Sequence, residues 1–187
     1  LWGGRFDLPT NKLVEAFNAT IMIEQRLCPF DIKGSIAHAT MLGRQNIISQ
    51  SDADTIINGL KQVEQEIENG QFVFSTADED IHMAIEKRMT EIVGPVGGKL
   101  HTGRSRNDQT TLDSKMHMRA TILEIQQNIR ALQATIVAKA EQNFNVIMPG
   151  YTHLQTGQPI LFSHWIMTYF WMLQRDYGRF NDLYRRM

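Results

Sequence analysis

The chain has 187 residues and a formal charge of −1, from 19 lysines and arginines against 20 aspartates and glutamates. Apolar residues make up 42% and charged residues 21%, the composition of an ordinary globular protein. A near-neutral chain lacks the basic excess that nucleic acids and anionic membranes attract, so we expect neither as a partner. No apolar run approaches the length of a bilayer span, and no secretory signal is evident. The single cysteine, Cys28, excludes an intrachain disulfide, so we expect a cytoplasmic protein.

The first hundred residues predict short amphipathic helices. The predicted helices span 11–18, 31–44, 51–69 and 76–93. Ser51 and Thr76 are the predicted N-caps of the last two, and Gly70 and Gly94 are their predicted ends. Only 71–74 has strand character. This part of the chain therefore predicts a small helical domain.

A long helix is predicted next, because residues 104–148 contain neither glycine nor proline. As one helix, this segment would be about 67 Å long. Apolar residues recur at the spacing of a helix-bundle seam, namely Met118, Ile122, Ile125, Ile129, Leu132 and Ile136. A second apolar stripe comprises Leu112, Met116, Ala120, Leu123, Ala134 and Val137. Two stripes predict a helix that is buried on more than one side.

The segment 160–177 is a second run without a helix breaker, and it is rich in aromatic side chains. So much apolar surface predicts cover by another subunit or by the rest of a larger protein. The chain stops at Met187 without a helix cap, so we expect an N-terminal fragment. The fold class is predicted to be all-α, with a helical N-terminal domain over 1–103. The segment 104–187 is predicted to be the start of a long-helix bundle.

Two polar clusters lie at the ends of the long helix. In the first, 99–109, Ser105 and Asp108 have capping-box spacing. This cluster is either a capped helix start with a solvated basic turn or, through Arg106 and Asn107, a site for carboxylates or phosphates. A phosphate-binding P-loop is disfavoured, because the glycine spacing is wrong and leucine follows the lysine.

The second cluster, 149–159, connects the two long helices. A loop needs the glycine and the prolines found there, but it does not need Thr152 and His153 followed by two glutamines. His153 is either a structural histidine or an acid–base group in a loop that is held by two long helices.

A third cluster, 78–82, contains three acids followed by isoleucine and His82. The simpler interpretation is N-terminal capping of a helix beside a surface histidine. The histidines and the single cysteine form no zinc-binding pattern, so no metal site is predicted.

Five segments together resemble the argininosuccinate lyase family, within the fumarase/aspartase superfamily. They are LWGGRF (1–6), FNATI (17–21), DEDIH (78–82), GKLHTGRSRNDQ (98–109) and GYTHLQ…QPI (150–160). The resemblance covers essentially the whole chain, and the last two segments are its most specific motifs. The lens δ-crystallins share this chain type.

The resemblance implies cleavage of argininosuccinate to arginine and fumarate, in arginine biosynthesis, without a metal or organic cofactor. It also implies a homotetramer with a core of long helices and active sites shared between subunits. Family members are more than twice this length, and the loop that carries their catalytic serine lies beyond Met187. The fragment alone is therefore expected to be inactive.

Carried onto this sequence, the resemblance assigns seven site residues. His153 matches the catalytic histidine, with Thr152 beside it at the substrate. The residues matched to substrate binding, or to positions near the site, are Thr20, Asn107, Arg106, Asp31 and His82. Thr20 stands where serine is common, and Thr156-Gly157 departs from the usual Arg-Ala.

The reaction needs a base for a weakly acidic carbon proton, an acid for the leaving nitrogen and donors for the developing charge. Histidine suits either proton-transfer role, and the sequence does not decide between His153 and the serine. Three alternatives remain: a δ-crystallin-like structural protein, another lyase of the superfamily (adenylosuccinate lyase, aspartase or fumarase) and a helical adaptor.

Overall fold

The computed structural model describes residues 11–75 and 78–187. The motif at 1–6 and the predicted cap Thr76 lie outside the described residues. The helices are α1 (Lys12–Asn18), α2 (Ile21–Glu24), α3 (Cys28–Arg44), α4 (Gln50–Glu68), α5 (Ile81–Val93), α6 (Arg106–Gln142) and α7 (Phe162–Arg186). Two 3₁₀ segments, Gln25–Leu27 and Gly94–His101, and two strands, β1 (Ile147–Thr152) and β2 (Gln155–Leu161), complete the described elements. The predicted all-α class is confirmed, with one small hairpin added.

The chain forms two compact units, the first ending at His117 and the second running from Met118 to Met187. In the first unit, α3, α4 and α5 pack against one another around an aliphatic core. Fully buried members of this core include Ile21, Ile32, Leu42, Ile56, Leu60, Val63, Ile81, Ile85 and Met89. Their helical spacing gives each helix one apolar face, which is why the three helices enclose a common interior.

Two helices of the first unit begin at other residues than predicted. Helix α4 is capped by Ser49, whose hydroxyl accepts a hydrogen bond from the Asp52 backbone N–H at 3.1 Å, so the prediction of Ser51 was wrong. Helix α5 is capped by Asp80, whose carboxylate accepts from the Met83 N–H at 2.6 Å. Both caps satisfy backbone donors that the first helical turn leaves unpaired.

In the second unit, residues 118–142 of α6 run antiparallel to α7. Arg119 donates to the Tyr184 carbonyl at 2.9 Å, and Gln133 donates to the Phe170 carbonyl at 3.2 Å. One stripe of α6 is buried, and its members are Ile122, Gln126, Ile129, Gln133, Ile136 and Ala140. Within this single chain, Leu112 and Leu123 of the predicted second stripe are exposed, as are Met118 and Leu132 of the predicted seam, so the second stripe stays a prediction for an assembled bundle.

The predicted loop at 149–159 is instead an antiparallel hairpin of β1 and β2. Pro149 pairs with Pro159, and the register shifts between Gly150 and Tyr151. Both strands are edges of a two-stranded sheet, so the prolines remove no ladder hydrogen bond from an inner strand. The expected strand character at 71–74 is not realised.

Across residues 11–75 and 78–187, none of the helices combines the length and apolar character that crossing a bilayer requires.

Gly59 marks a close approach of α4 to α5. A Cβ atom there would lie 2.5 Å from Cγ1 of Val93 and 3.2 Å from Cγ of Met89. We expect Gly59→Ala to lower the free energy of unfolding by about 1–3 kcal/mol, because overpacking exceeds the gain in helix propensity. Equilibrium unfolding in urea would measure this change in the free energy of unfolding. Gly178→Ala, with nothing within 4 Å, is the matched control and should be neutral or stabilising. Equal effects of the two substitutions would contradict the close approach.

Candidate active site

The start of α6 is fixed by a reciprocal cap. The Ser105 hydroxyl accepts from the Asn107 backbone N–H at 3.2 Å, and the Asp108 carboxylate accepts from the Ser105 N–H at 3.1 Å. The predicted capping box is therefore confirmed. The Asn107 side chain is exposed beside this helix N-terminus, where backbone dipoles favour negative charge.

Three ionisable side chains are buried together behind this cap: Asp31 on α3, His82 on α5 and Asp113 on α6. None of them is more than 1% exposed. Nδ1 of His82 lies 3.0 Å from Oδ1 of Asp31 and 3.4 Å from Oδ2 of Asp113. One imidazole edge therefore faces two carboxyl groups. We refer to these three residues as the buried triad.

The surroundings of the buried triad separate the pKa values of its two acids. Burial and the charge of Asp31 raise the pKa of Asp113 to about 7. Burial opposes the ionisation of Asp31 as well, but the hydrogen bond and charge of His82, the hydrogen bond from Gln109 and the charge of Arg104 together lower the pKa of Asp31. Burial disfavours the imidazolium of His82, yet its hydrogen bond to Asp31 raises the pKa of the ring. Below pH 7, Asp31 is thus ionised while Asp113 keeps most of its protons.

Polar side chains connect the triad to the start of α6. The Gln109 side-chain amide donates to Oδ1 of Asp31, and the Arg106 guanidinium donates to the Gln109 side-chain oxygen. Arg106 is half-buried and also lies 3.6 Å from carboxylate oxygens of Asp80 and Glu86. Its positive charge is therefore largely balanced within the first unit.

Arg104 approaches the triad from the segment before α6. Its guanidinium donates to the Ser35 hydroxyl at 2.9 Å, and its charge acts on both triad acids. A Cβ at Gly34 would lie 3.5 Å from Oδ1 of Asp113 and 3.7 Å from Nη2 of Arg104. These two are ordinary contact distances, and the tight contact of such a Cβ would be with Cδ2 of Leu112, at 3.2 Å.

In the second unit, Thr152 and His153 lie at the turn of the hairpin. Thr152 pairs with Gln155, so His153 and Leu154 are the two central residues of the turn. Both have positive φ angles, 51° and 62°, as in a type I′ turn. Such turns favour asparagine and glycine, and a left-handed conformation costs other residues about 1–2 kcal/mol each. The hairpin therefore holds an exposed imidazole in a strained conformation, which is common at functional sites.

The structure distributes the seven predicted site residues over both units. In the first unit, Asp31 and His82 are in direct contact, and Arg106 reaches Asp31 through Gln109. Thr20 is exposed, and its backbone N–H donates to the Glu79 carbonyl at 2.9 Å.

The interpretation of His82 as a surface histidine was wrong. Helix α5 starts at Ile81, so His82 lies within its first turn and on its buried face. The ring therefore points into the interior and contacts Asp31. The proposed substrate contacts of Asp31 and His82 stay predictions, and burial leaves neither side chain open to solvent.

Two residues of the buried network were missed from the sequence: Gln109 as a partner of Asp31, and Asp113. Arg106, Gln109 and Asp113 are spaced by three and four positions, which places them on one face of α6. A polar face at the start of a long helix could have indicated an inward network.

The triad contains groups that can hold either a proton or a metal ion. One oxygen from each acid and one imidazole nitrogen lie within 4.8 Å of one another, so a divalent cation would also fit by distance alone. Gln109 and His82 already donate to Oδ1 of Asp31, however, and Arg104 supplies positive charge nearby. We therefore infer that the triad binds a proton and not a metal ion.

The triad predicts a pH-dependent effect of Asp113→Asn. Unfolded Asp113 releases its proton near pH 3.8 and the folded residue near pH 7, so the folded state holds one more proton between these values. The free energy of unfolding of the wild type should fall as pH rises through this window, relative to the variant, by about 1.4 kcal/mol per pH unit. Native-state hydrogen exchange of α3 amides, compared at equal pH, measures the difference. A difference that is constant from pH 4 to pH 7 would contradict the buried proton.

Comparison with known proteins places the chain in a family. A family model described as lyase matches residues 4–187. The argininosuccinate lyase of Staphylococcus haemolyticus is 53% identical over 186 residues, which cover 100% of this chain and 40% of that protein. The argininosuccinate lyase of Geobacter metallireducens is 54% identical over 187 residues, or 100% and 41%. The chain thus spans about 40% of the length of the curated relatives it matches.

Solved structures agree with the fold. An EDDS lyase variant with bound fumarate is 29% identical, with a TM-score of 0.74 over 86% of this chain and 31% of that chain. A protein described as fumarate lyase:delta crystallin from Brucella melitensis is 17% identical, with a TM-score of 0.73 over 95% and 46%. The second supports the fold alone. Since the family model covers nearly the whole chain, this chain belongs to the lyase family.

Proposed function

We propose that this chain forms part of an argininosuccinate lyase, which eliminates arginine from argininosuccinate and releases fumarate in a reversible step of arginine biosynthesis. The observation that carries the proposal is the 53% identity to argininosuccinate lyases over the whole chain. The EDDS lyase variant, by comparison, is 29% identical. We further propose a cytoplasmic location.

In the proposed mechanism, His153 and Thr152 act at the reacting atoms. The elimination removes a carbon proton next to a carboxylate and protonates the departing nitrogen. Histidine can take either part, because its side chain titrates near neutrality. The strained turn supports this role, since it fixes an exposed imidazole at the end of a short hairpin instead of on a free loop.

The proposed substrate site also uses the start of α6. The carbanion-like intermediate carries a second negative charge on a carboxylate, and it forms only where donors are fixed in advance. The Asn107 amide and Arg106, beside a well-capped helix N-terminus, are donors of this kind. The Thr20 hydroxyl is a further proposed donor, and Asp31 and His82 support the site from the interior.

Assembly into a homotetramer with shared active sites belongs to the same proposal. It is supported by the outer face of α7, where Trp165, Tyr169 and Met172 lie at positions i, i+4 and i+7 and are 39–49% exposed. Trp165 and Tyr169 form an edge-to-face pair with centroids 5.5 Å apart. Exposed aromatic residues in a row are typical of an interface, here with a second copy of the chain.

The enzyme proposal is tested with a chimera that joins this chain to the remaining residues of the Staphylococcus haemolyticus relative. We expect the chimera to release fumarate, followed at 240 nm, and arginine in equal amounts from argininosuccinate. In the chimera, His153→Asn should lower turnover at least about a hundredfold, the scale of lost acid–base catalysis.

His164→Asn, which changes an exposed histidine of α7, is the matched control for the chimera. Near-normal turnover of the His153 variant would remove His153 from the mechanism. A folded tetramer of the unsubstituted chimera without any turnover would favour the δ-crystallin-like alternative, and turnover of adenylosuccinate or aspartate instead would favour another lyase of the superfamily.

The 187-residue chain itself is expected to self-associate through the outer face of α7. Replacing both Trp165 and Tyr169 by serine should shift its sedimentation towards the monomer, because the apolar contact area is lost. Arg179→Ser, on the same helix and exposed, is the control. A wild-type chain that sediments as a single monomeric species would contradict this interface.

A further inference from the structure

The carboxyl group of Asp113 has no part in the proposed chemistry, yet it is fully buried. Neither of its oxygens has a hydrogen-bond partner among the described residues, and the same holds for Oδ2 of Asp31 and Nε2 of His82. Buried acceptors without a donor are costly. Two adjacent acids with unpartnered oxygens therefore require a common explanation.

One proton explains both acids. A protonated Asp113 can donate its O–H to Oδ2 of Asp31, so that a single hydrogen satisfies an oxygen on each residue. Oδ1 of Asp31 already accepts from His82 and Gln109, which leaves Oδ2 as the available acceptor. The raised pKa of Asp113, about 7, agrees with this arrangement.

We propose that Asp113 is a positioning residue, whose protonated carboxyl group holds Asp31 and thereby fixes the His82 imidazole with Nδ1 as the donor to Asp31. The juxtaposition of Asp113, Asp31 and His82 on three different helices carries the inference. The proton stays on Asp113, and no bond to carbon or nitrogen is made or broken by this residue.

Any effect of Asp113 on the reaction is indirect, and this part of the inference rests on the proposed function. His82 matches a position near the substrate of argininosuccinate lyases, and a fixed tautomer decides whether Nε2 offers a lone pair or a hydrogen. Asp113 would act on that choice through Asp31, without touching substrate. The other charged or titratable groups that interact with the triad are Cys28 on α3, Asp80 on α5 and Arg104 before α6.

The test uses nuclear magnetic resonance of the 187-residue chain, which needs no enzymatic activity. With aspartate labelled at Cγ by carbon-13, the resonance that disappears in Asp113→Asn is that of Asp113. We expect its titration midpoint above pH 6. A midpoint below pH 5 would overturn the proposal.

A second readout follows the ring nitrogens of His82 by nitrogen-15 shifts. Asp113→Asn keeps a donor towards Asp31, so the His82 tautomer should be preserved. Asp113→Ala removes the donor, and the Nδ1 and Nε2 resonances should shift towards a mixture of tautomers. Unchanged resonances in Asp113→Ala would overturn the proposal, as would a shift in the wild type on adding EDTA or Zn²⁺, which would make the triad a metal site. If Asp113→Ala does not fold, the proposal is judged by the titration midpoint of the carbon-13 resonance and by the His82 tautomer in Asp113→Asn.

In an active chimera, Asp113→Ala should lower kcat/KM about tenfold or more through misplacement of His82, and Asp113→Asn should restore most of it. Equal losses in both variants would contradict positioning by a donor. An inactive chimera with the expected resonances would refute the proposed function and leave the role of Asp113 intact.

Discussion

Burying two carboxyl groups and an imidazole together constrains how the helices of the first unit can pack. An isolated buried charge is so costly that the group changes its protonation state or finds a partner. Here both solutions occur, because Asp31 is ionised against His82 while Asp113 favours its neutral form. The three groups come from α3, α5 and α6, so their proton balance depends on the correct packing of all three helices.

The same constraint explains why the start of α6 is so fully bonded. The cap formed by Ser105 and Asp108 sets the first turn, and Gln109, one turn further, reaches Asp31. A helix whose first turn frayed would withdraw Gln109 and leave Oδ1 of Asp31 with one donor fewer. Surface capping and the buried network are thus two parts of one arrangement, and Asn107 is held at its outer edge.

Much of this could be predicted from the sequence, and the failures have physical causes. The spacing of apolar residues predicted the helices, and the Ser105 cap was correct because capping is a local interaction. The orientation of His82 was not predictable in the same way, since it depends on α5 starting at Ile81 and on an acid 51 positions earlier in the chain. The hairpin was missed because Pro149 and Pro159 argue against strands, except where both strands are edges.

The two units place their polar groups in opposite settings, which bears on what each group can do. In the first unit the buried triad is shielded from solvent, so its members can influence one another's protonation but cannot exchange protons freely with solvent. In the second unit the imidazole of His153 is exposed at a strained turn, where it can exchange protons but has no fixed partner among the described residues. Acid–base catalysis needs both an exchangeable group and a fixed electrostatic environment. Neither setting supplies both by itself, so the buried triad and His153 differ in what each could contribute to the proposed reaction.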